Sequence, residues 1–184
     1  MKVPKELPKD MSFEDGYRYV LGYIIPPEAT PMVGKYLIDN RIYLKIVPRN
    51  KTFWGRFWRR GLVTKSGQQF SSCIELVEEL RPLAALMTLL HEIAHHRCWV
   101  KYEKAGKKIR PHGKEWQAEF CFALASCVKY FPEQMRGDLG YLINHYSNKN
   151  ENLITDYLQT WDKAKVLAKQ AIEKWEAERV NKTE

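Results

Sequence analysis

Nowhere in this 184-residue chain do apolar residues run for the roughly 20 positions needed to span a bilayer. The opening stretch MKVPKELPKD also lacks the apolar centre of a secretory signal. A cytoplasmic protein without a membrane partner is therefore expected. Cysteine is scarce: Cys73, Cys98, Cys121 and Cys127 include no C-x-x-C pair and no framework spacing. They read as reduced packing residues, and they offer no zinc ribbon. No internal repeat and no low-complexity segment is present, which removes solenoids from consideration. Acidic residues are outnumbered, leaving a formal net charge of +8. Residues 1–150 hold 24 Lys and Arg against 15 Asp and Glu, and residues 151–184 hold 6 against 7. The positive excess thus belongs to the larger N-terminal part, and it favours polyanionic partners.

What the chain does have is the stretch LLHEIAHHRCW, with His91, His95 and His96 close together and Glu92 inside the spacing H-E-x-x-H. At about 100° per residue, His91 and His95 project about 40° apart on neighbouring turns of a helix, where both can grip one ion. Leu83, Leu86, Leu90 and Ala94 recur on a separate face, as expected of a helix with one buried side and one functional side. Ala84 and Thr88 are small and precede the histidines on the metal side. Pro82 suits the first turn, and Gly106 offers a stop. Neutral imidazoles bind Zn²⁺ well, and a neighbouring carboxylate can take a proton from the water that attacks a carbonyl. The pattern therefore points to a metallopeptidase.

Two imidazoles do not complete a zinc site. A metzincin extension is excluded, because Cys98 and Lys101 stand where a glycine and a histidine would be required. In RPHGKEWQAEFCFALASCVKYF, His112 sits at the start of a second helix whose apolar face runs Trp116, Phe120, Ala123, Leu124, Cys127 and Phe131. An antiparallel return would bring His112 towards the ion. Glu115 and Glu119 are the alternatives, although a first-turn acid such as Glu115 also suits the helix dipole. His145 reads as a surface or half-buried histidine and His96 as a packing or supporting one.

Together, HEIAHH, a basic linker and PHGKEW resemble the SprT-like zinc metallopeptidases, the SprT/Spartan group, over roughly residues 12–131. The resemblance implies zinc ligands at His91, His95 and His112, a catalytic base at Glu92, and an H-G-x-E-W motif completed by Gly113, Glu115 and Trp116. It also implies cleavage of proteins at or near DNA. The chain departs from many members in lacking the paired cysteines of a C-terminal zinc ribbon, and no ubiquitin-binding or clamp-binding segment is evident.

The basic residues cluster. RNKTFWGRFWRRG interleaves Arg49, Lys51, Arg56, Arg59 and Arg60 with Phe53, Trp54, Phe57 and Trp58, and a second run between the histidine motifs carries Lys107 and Lys108. Cations bind phosphates and exposed rings stack on unpaired bases, so Trp54 and Trp58 join these cations as candidate contacts to DNA, single strands favoured. A hairpin with its aromatics in the core and its arginines in solvent is the alternative.

The expected fold class is α+β: a zincin-like minimal metallopeptidase domain over residues 1–150, with a small antiparallel sheet packed on the active-site helices. SFEDGYRYVLGYII, capped by Ser12 and Asp15, and PPEATPMVGKYLIDN suggest two leading helices. Residues 41–47, parts of 53–64, and 70–76 read as strands. In residues 151–184, Leu153, Tyr157, Trp161, Ala164, Ala168, Ala171 and Trp175 fall within about 80° on one face of a C-terminal amphipathic helix. Packing on the body or self-association would bury that stripe, so the oligomeric state is open. The function expected is a zinc-dependent endopeptidase. The rivals are an ImmA/IrrE-type peptidase acting on one regulator and a non-enzymatic zinc-containing DNA-binding module, which would have no use for Glu92.

Overall fold

The computed structural model describes residues 11–49, 52–65 and 67–132, together with scattered positions between 135 and 173. The stripe residues expected on the C-terminal helix lie outside the described residues. By contacts the chain divides into two compact units, Met1–Glu92 and Ile93–Glu184.

The first unit opens with helix α1 (Phe13–Gly22), whose N-cap is Ser12: its Oγ accepts a hydrogen bond from the Asp15 backbone N–H at 3.2 Å. Helix α2 (Thr30–Asp39) follows a short 3₁₀ turn and starts with Pro31 in its first turn. Leu21, Ile25, Ala29, Val33 and Leu37 are buried along this helical pair. The Tyr17 hydroxyl donates to the Ile42 carbonyl at 2.8 Å, fastening α1 to the first strand.

The strands are β1 (Ile42–Val47), β2 (Gly55–Trp58), β3 (Leu62–Val63), β4 (Gln69–Phe70) and β5 (Ser72–Val77). Strands β3 and β4 form their own antiparallel pair. The main sheet has the order β1-β5-β2 and differs from the expected antiparallel one. Strand β1 runs parallel to β5, from Ile42 opposite Ser72 to Val47 opposite Val77, and only β2 is antiparallel to β5. Burial supplies the reason. Strand β5 is a nearly continuous buried run with Cys73, Ile74, Leu76 and Val77 all covered, so it takes the centre, as strands buried on both faces do. The connection from residue 48 to residue 71, which contains β2 to β4, supplies the crossover that a parallel pair requires.

Helix α3 (Pro82–Cys98) carries the H-E-x-x-H motif. Of the expected apolar face, Leu86, Leu90 and Ala94 are buried and Leu83 is half-buried, while Leu89 and Ile93 are buried besides. The α-helix ends at Cys98 and continues as a wide π-helical turn, Trp99–Glu103, before Gly106 stops the chain in the left-handed region at φ +82°.

In the second unit, α4 (Lys114–Cys127) buries Trp116, Phe120, Ala123, Leu124 and Cys127, and Phe131 is buried just beyond it. These are the residues of the predicted apolar face. The fold is mixed, with small sheets and several helices, compatible with the α+β class. Among the described residues, no helix is long and apolar enough to cross a membrane.

Candidate metal centre

His91 and His95 lie one turn apart on α3 and are both half-buried; His112 stands two residues before α4 and is exposed. One ring nitrogen from each of the three lies within 4.8 Å of the others, and the Nε2 atoms of His95 and His112 are 3.1 Å apart. Nitrogen ligands at about 2.0–2.1 Å on a tetrahedral zinc stand about 3.3 Å from one another, close to the His95–His112 separation, so the three imidazoles could hold such an ion. Three histidines, one of them exposed, could hold a metal ion and leave a further position open.

The backbone at His112 is left-handed, at φ +57°. A residue with a side chain adopts this at a cost on the order of 1 kcal/mol or more, although histidine tolerates it better than most. The turn is held by the Gly113 N–H donating to the Arg110 carbonyl at 2.9 Å, and by the Gln117 side-chain amide donating to the His112 carbonyl at 3.2 Å. A Cβ at position 113 would stand 3.0 Å from the Arg110 oxygen, which accounts for the glycine of the H-G-x-E-W motif.

Trp116 packs against both His95 and His112. Its ring meets that of His112 edge-on at 4.6 Å, lies 5.5 Å from His95, and stacks on Phe120 at 4.7 Å. The motif thus supplies a ligand candidate, the glycine that permits its turn, and the ring that backs it.

Glu92 is buried beside His91. Burial pushes its carboxyl up to about 7, while the Phe57 backbone N–H and the Arg56 guanidinium act in the opposite direction by favouring the ionised form. The two glutamates weighed as alternative ligands have cation partners. Burial alone would raise the Glu115 carboxyl, but backbone N–H hydrogen bonding at the helix start and Lys107, 3.2 Å away, hold it below its ordinary value. Glu119 is paired with Arg97 at 2.7 Å and with Lys101 at 3.5 Å. His96 is buried outside the cluster, and burial, Lys104 and Arg97 together pull its pKa down to about 4. His145 is exposed.

The candidate nucleic-acid residues separate by unit. In the first, Arg49, Arg56, Arg59 and Arg60 are exposed, Trp54 is 66% exposed and Trp58 41%; Lys51 lies outside the described residues. Phe53 and Phe57 are half-buried, so the aromatics divide between surface and interior rather than all entering a core. The Arg56 guanidinium lies 4.0 Å from the centre of the Phe53 ring and 5.1 Å from that of Trp58. Trp58 also donates its indole N–H to Glu75, which accepts from Lys45 at 2.9 Å. In the second unit, Lys107 and Lys108 are both exposed.

Sequence reasoning passed over Gly55, at the start of β2, where a Cβ would fall 3.0 Å from Glu92 Cγ. A lone glycine in a strand is a known sign of close backbone approach.

No curated protein and no solved structure matches the chain. The SprT-like family model does match it, over residues 41–135, a span that covers more than half of the chain and includes β1 to β5, α3 and α4. With that match, and with three histidines placed as a metal site needs them, the function is metallopeptidase-like and the chain belongs to the SprT-like family.

Proposed function

We propose that this protein is a zinc-dependent endopeptidase that cleaves protein substrates associated with DNA. The observation that carries the reading is the convergence of His91, His95 and His112 next to a buried Glu92. A structural zinc site has no use for such a carboxylate.

His91, His95 and His112 would hold the ion, and a zinc there supplies Lewis acidity to the scissile carbonyl and to the attacking water. Glu92 accepts a proton as the water oxygen bonds to the carbonyl carbon. It then delivers that proton to the amide nitrogen as the C–N bond breaks, leaving a carboxylic acid and an amine. Water is consumed and Glu92 ends as it began. The exposed Arg49, Arg56, Arg59 and Arg60, with Trp54 and Trp58 among them, support DNA as the partner that brings substrates near.

The test is cleavage of a purified DNA-binding protein with and without single-stranded DNA, by the parent and by Glu92→Gln. The parent should cut, faster with DNA. Glu92→Gln should keep its zinc and its fold but lose cleavage, because an amide accepts no proton. A Glu92→Gln protein free of parent contamination that cut at the parental rate would remove Glu92 from the mechanism.

A further inference from the structure

We propose that Gly55 is a positioning residue for Glu92: by lacking a side chain, it lets strand β2 lie directly against helix α3 at the carboxylate. The inference rests on Glu92 being the proton acceptor. A methyl group at position 55 would stand 2.5 Å from Thr88 Cγ2, 3.0 Å from Glu92 Cγ and 3.1 Å from Glu92 Oε1. All three contacts are on one face of α3, one turn apart. The first is closer than real Cβ contacts come, and the other two are tighter than nearly all of them.

The backbone at Gly55 is not left-handed; among the described residues, positive φ at glycine occurs only at Gly67 and Gly106. Any residue can adopt the dihedral angles of Gly55, so space, not conformation, demands glycine. Glycine within a strand costs about 0.5–1 kcal/mol relative to alanine, a cost that close approach to the helix accounts for. Strand β2 is an edge strand of the β1-β5-β2 sheet. Two residues along it, the Phe57 N–H donates to the Glu92 carboxylate. Gly55 sets how near the strand comes, and that nearness determines whether the Phe57 N–H reaches Glu92 and fixes its rotamer.

Two effects of Gly55→Ala can be separated. The Thr88 contact strains the packing, whereas the Glu92 contacts move the carboxylate. Thr88→Ser removes the methyl while keeping the hydroxyl that donates to the Ala84 carbonyl at 2.8 Å. The experiment compares Gly55→Ala, Thr88→Ser, their double variant and Glu92→Gln for Tm, zinc content, and kcat and KM on dye-labelled casein. Gly55→Ala should lose kcat by roughly tenfold to a hundredfold, the scale of a misplaced catalytic group, with zinc content and KM near parental values. The double variant should recover the Tm of Thr88→Ser yet keep the low kcat. Gly61→Ala is the packing control: its Cβ would meet the Phe70 carbonyl at 2.7 Å, away from Glu92, so Tm should fall without the kcat loss.

Recovery of kcat together with Tm in the double variant would overturn the proposal, as would failure of the double variant to fold. Fully active Gly55→Ala beside inactive Glu92→Gln overturns this proposal alone. Parental activity in Glu92→Gln overturns the base assignment whatever Gly55→Ala does.

Discussion

Arg97 Nε lies 2.7 Å from Glu119 Oε2, and the Glu119 side chain is only 2% exposed. Lys101 Nζ stands 3.5 Å from the other carboxylate oxygen, and the Arg97 guanidinium covers the Phe122 ring at 4.4 Å. Arg97 follows His95 by two residues on α3, and Glu119 follows His112 by seven. The ion pair therefore joins the two stretches of chain that carry those histidines.

Removing one partner of a buried pair leaves the other charge uncompensated, a loss of roughly 3–5 kcal/mol. Because Arg97 is partly open to solvent, Glu119→Ala should fall near the lower end, and zinc should be held more weakly as His112 loses its fixed distance from His95. Urea denaturation and zinc titration check both. A loss below about 1 kcal/mol, the worth of a surface pair, would mean that the cluster does not hold the helices.

His112→Ala should sharply lower zinc content from one ion per chain, whereas His96→Ala and His145→Ala should retain it. The distinction follows from placement: His112 shares the cluster, His96 is buried apart from it, and His145 is exposed. His96→Ala should still unfold more easily, because it leaves a gap in the packing. Metal analysis of the three purified variants decides the matter, and full zinc in His112→Ala would exclude it as a ligand.

The helical parts of this site were legible because their signals are local. Spacing on one helix puts His91 and His95 together, and the apolar period marks the buried faces of α3 and α4. Sheet direction was not: the near-continuous burial of β5 shows only once its neighbours are in place, and the long connection from β1 is what lets the two run parallel. Glu115 and Glu119 stayed open as ligands because their cation partners lie far off along the chain: Lys107 before α4, and Arg97 and Lys101 at the end of α3. The split of Trp54 and Trp58 from Phe53 and Phe57 was equally hidden, because aromatic content reveals amount and not facing.

The cysteines give a pH prediction. Burial pushes the thiols of Cys73, Cys98 and Cys127 up to about 11, 12 and 12, and Cys121 is fully buried with its Sγ donating to the Ile143 carbonyl at 3.2 Å. A folded pKa above the unfolded one means that the native state holds its protons longer. This contribution to stability is complete below about pH 8.5, the unfolded thiol value, and declines as pH rises towards 11 and 12. Thiol-reactive dye at pH 8 should label the native chain slowly and the urea-unfolded chain at once. Rapid labelling of all four cysteines in the native protein would contradict the burial.

Charge and aromatic exposure together give the last prediction. Arg56, Arg59 and Arg60 are exposed on and just after β2. If they bind phosphates, replacing all three with glutamine should weaken single-stranded DNA binding and flatten its salt dependence, by about 0.7 in slope for each phosphate no longer neutralised. Zinc content should stay unchanged. Trp54, 66% exposed, is the better stacking ring, and Trp54→Ala should cost roughly 1–3 kcal/mol of binding, more with single strands than with duplex. Trp58 has less freedom, because it lies beside Arg56 and gives its indole N–H to Glu75. Part of the effect of Trp58→Ala should therefore appear as lowered thermal stability, which Trp54→Ala should leave nearly unchanged. Fluorescence anisotropy across a salt series, with melting curves on the same samples, separates weakened binding from a damaged fold. A parent protein without measurable DNA affinity at low salt would end the nucleic-acid reading while leaving the metal centre and Glu92 as they are.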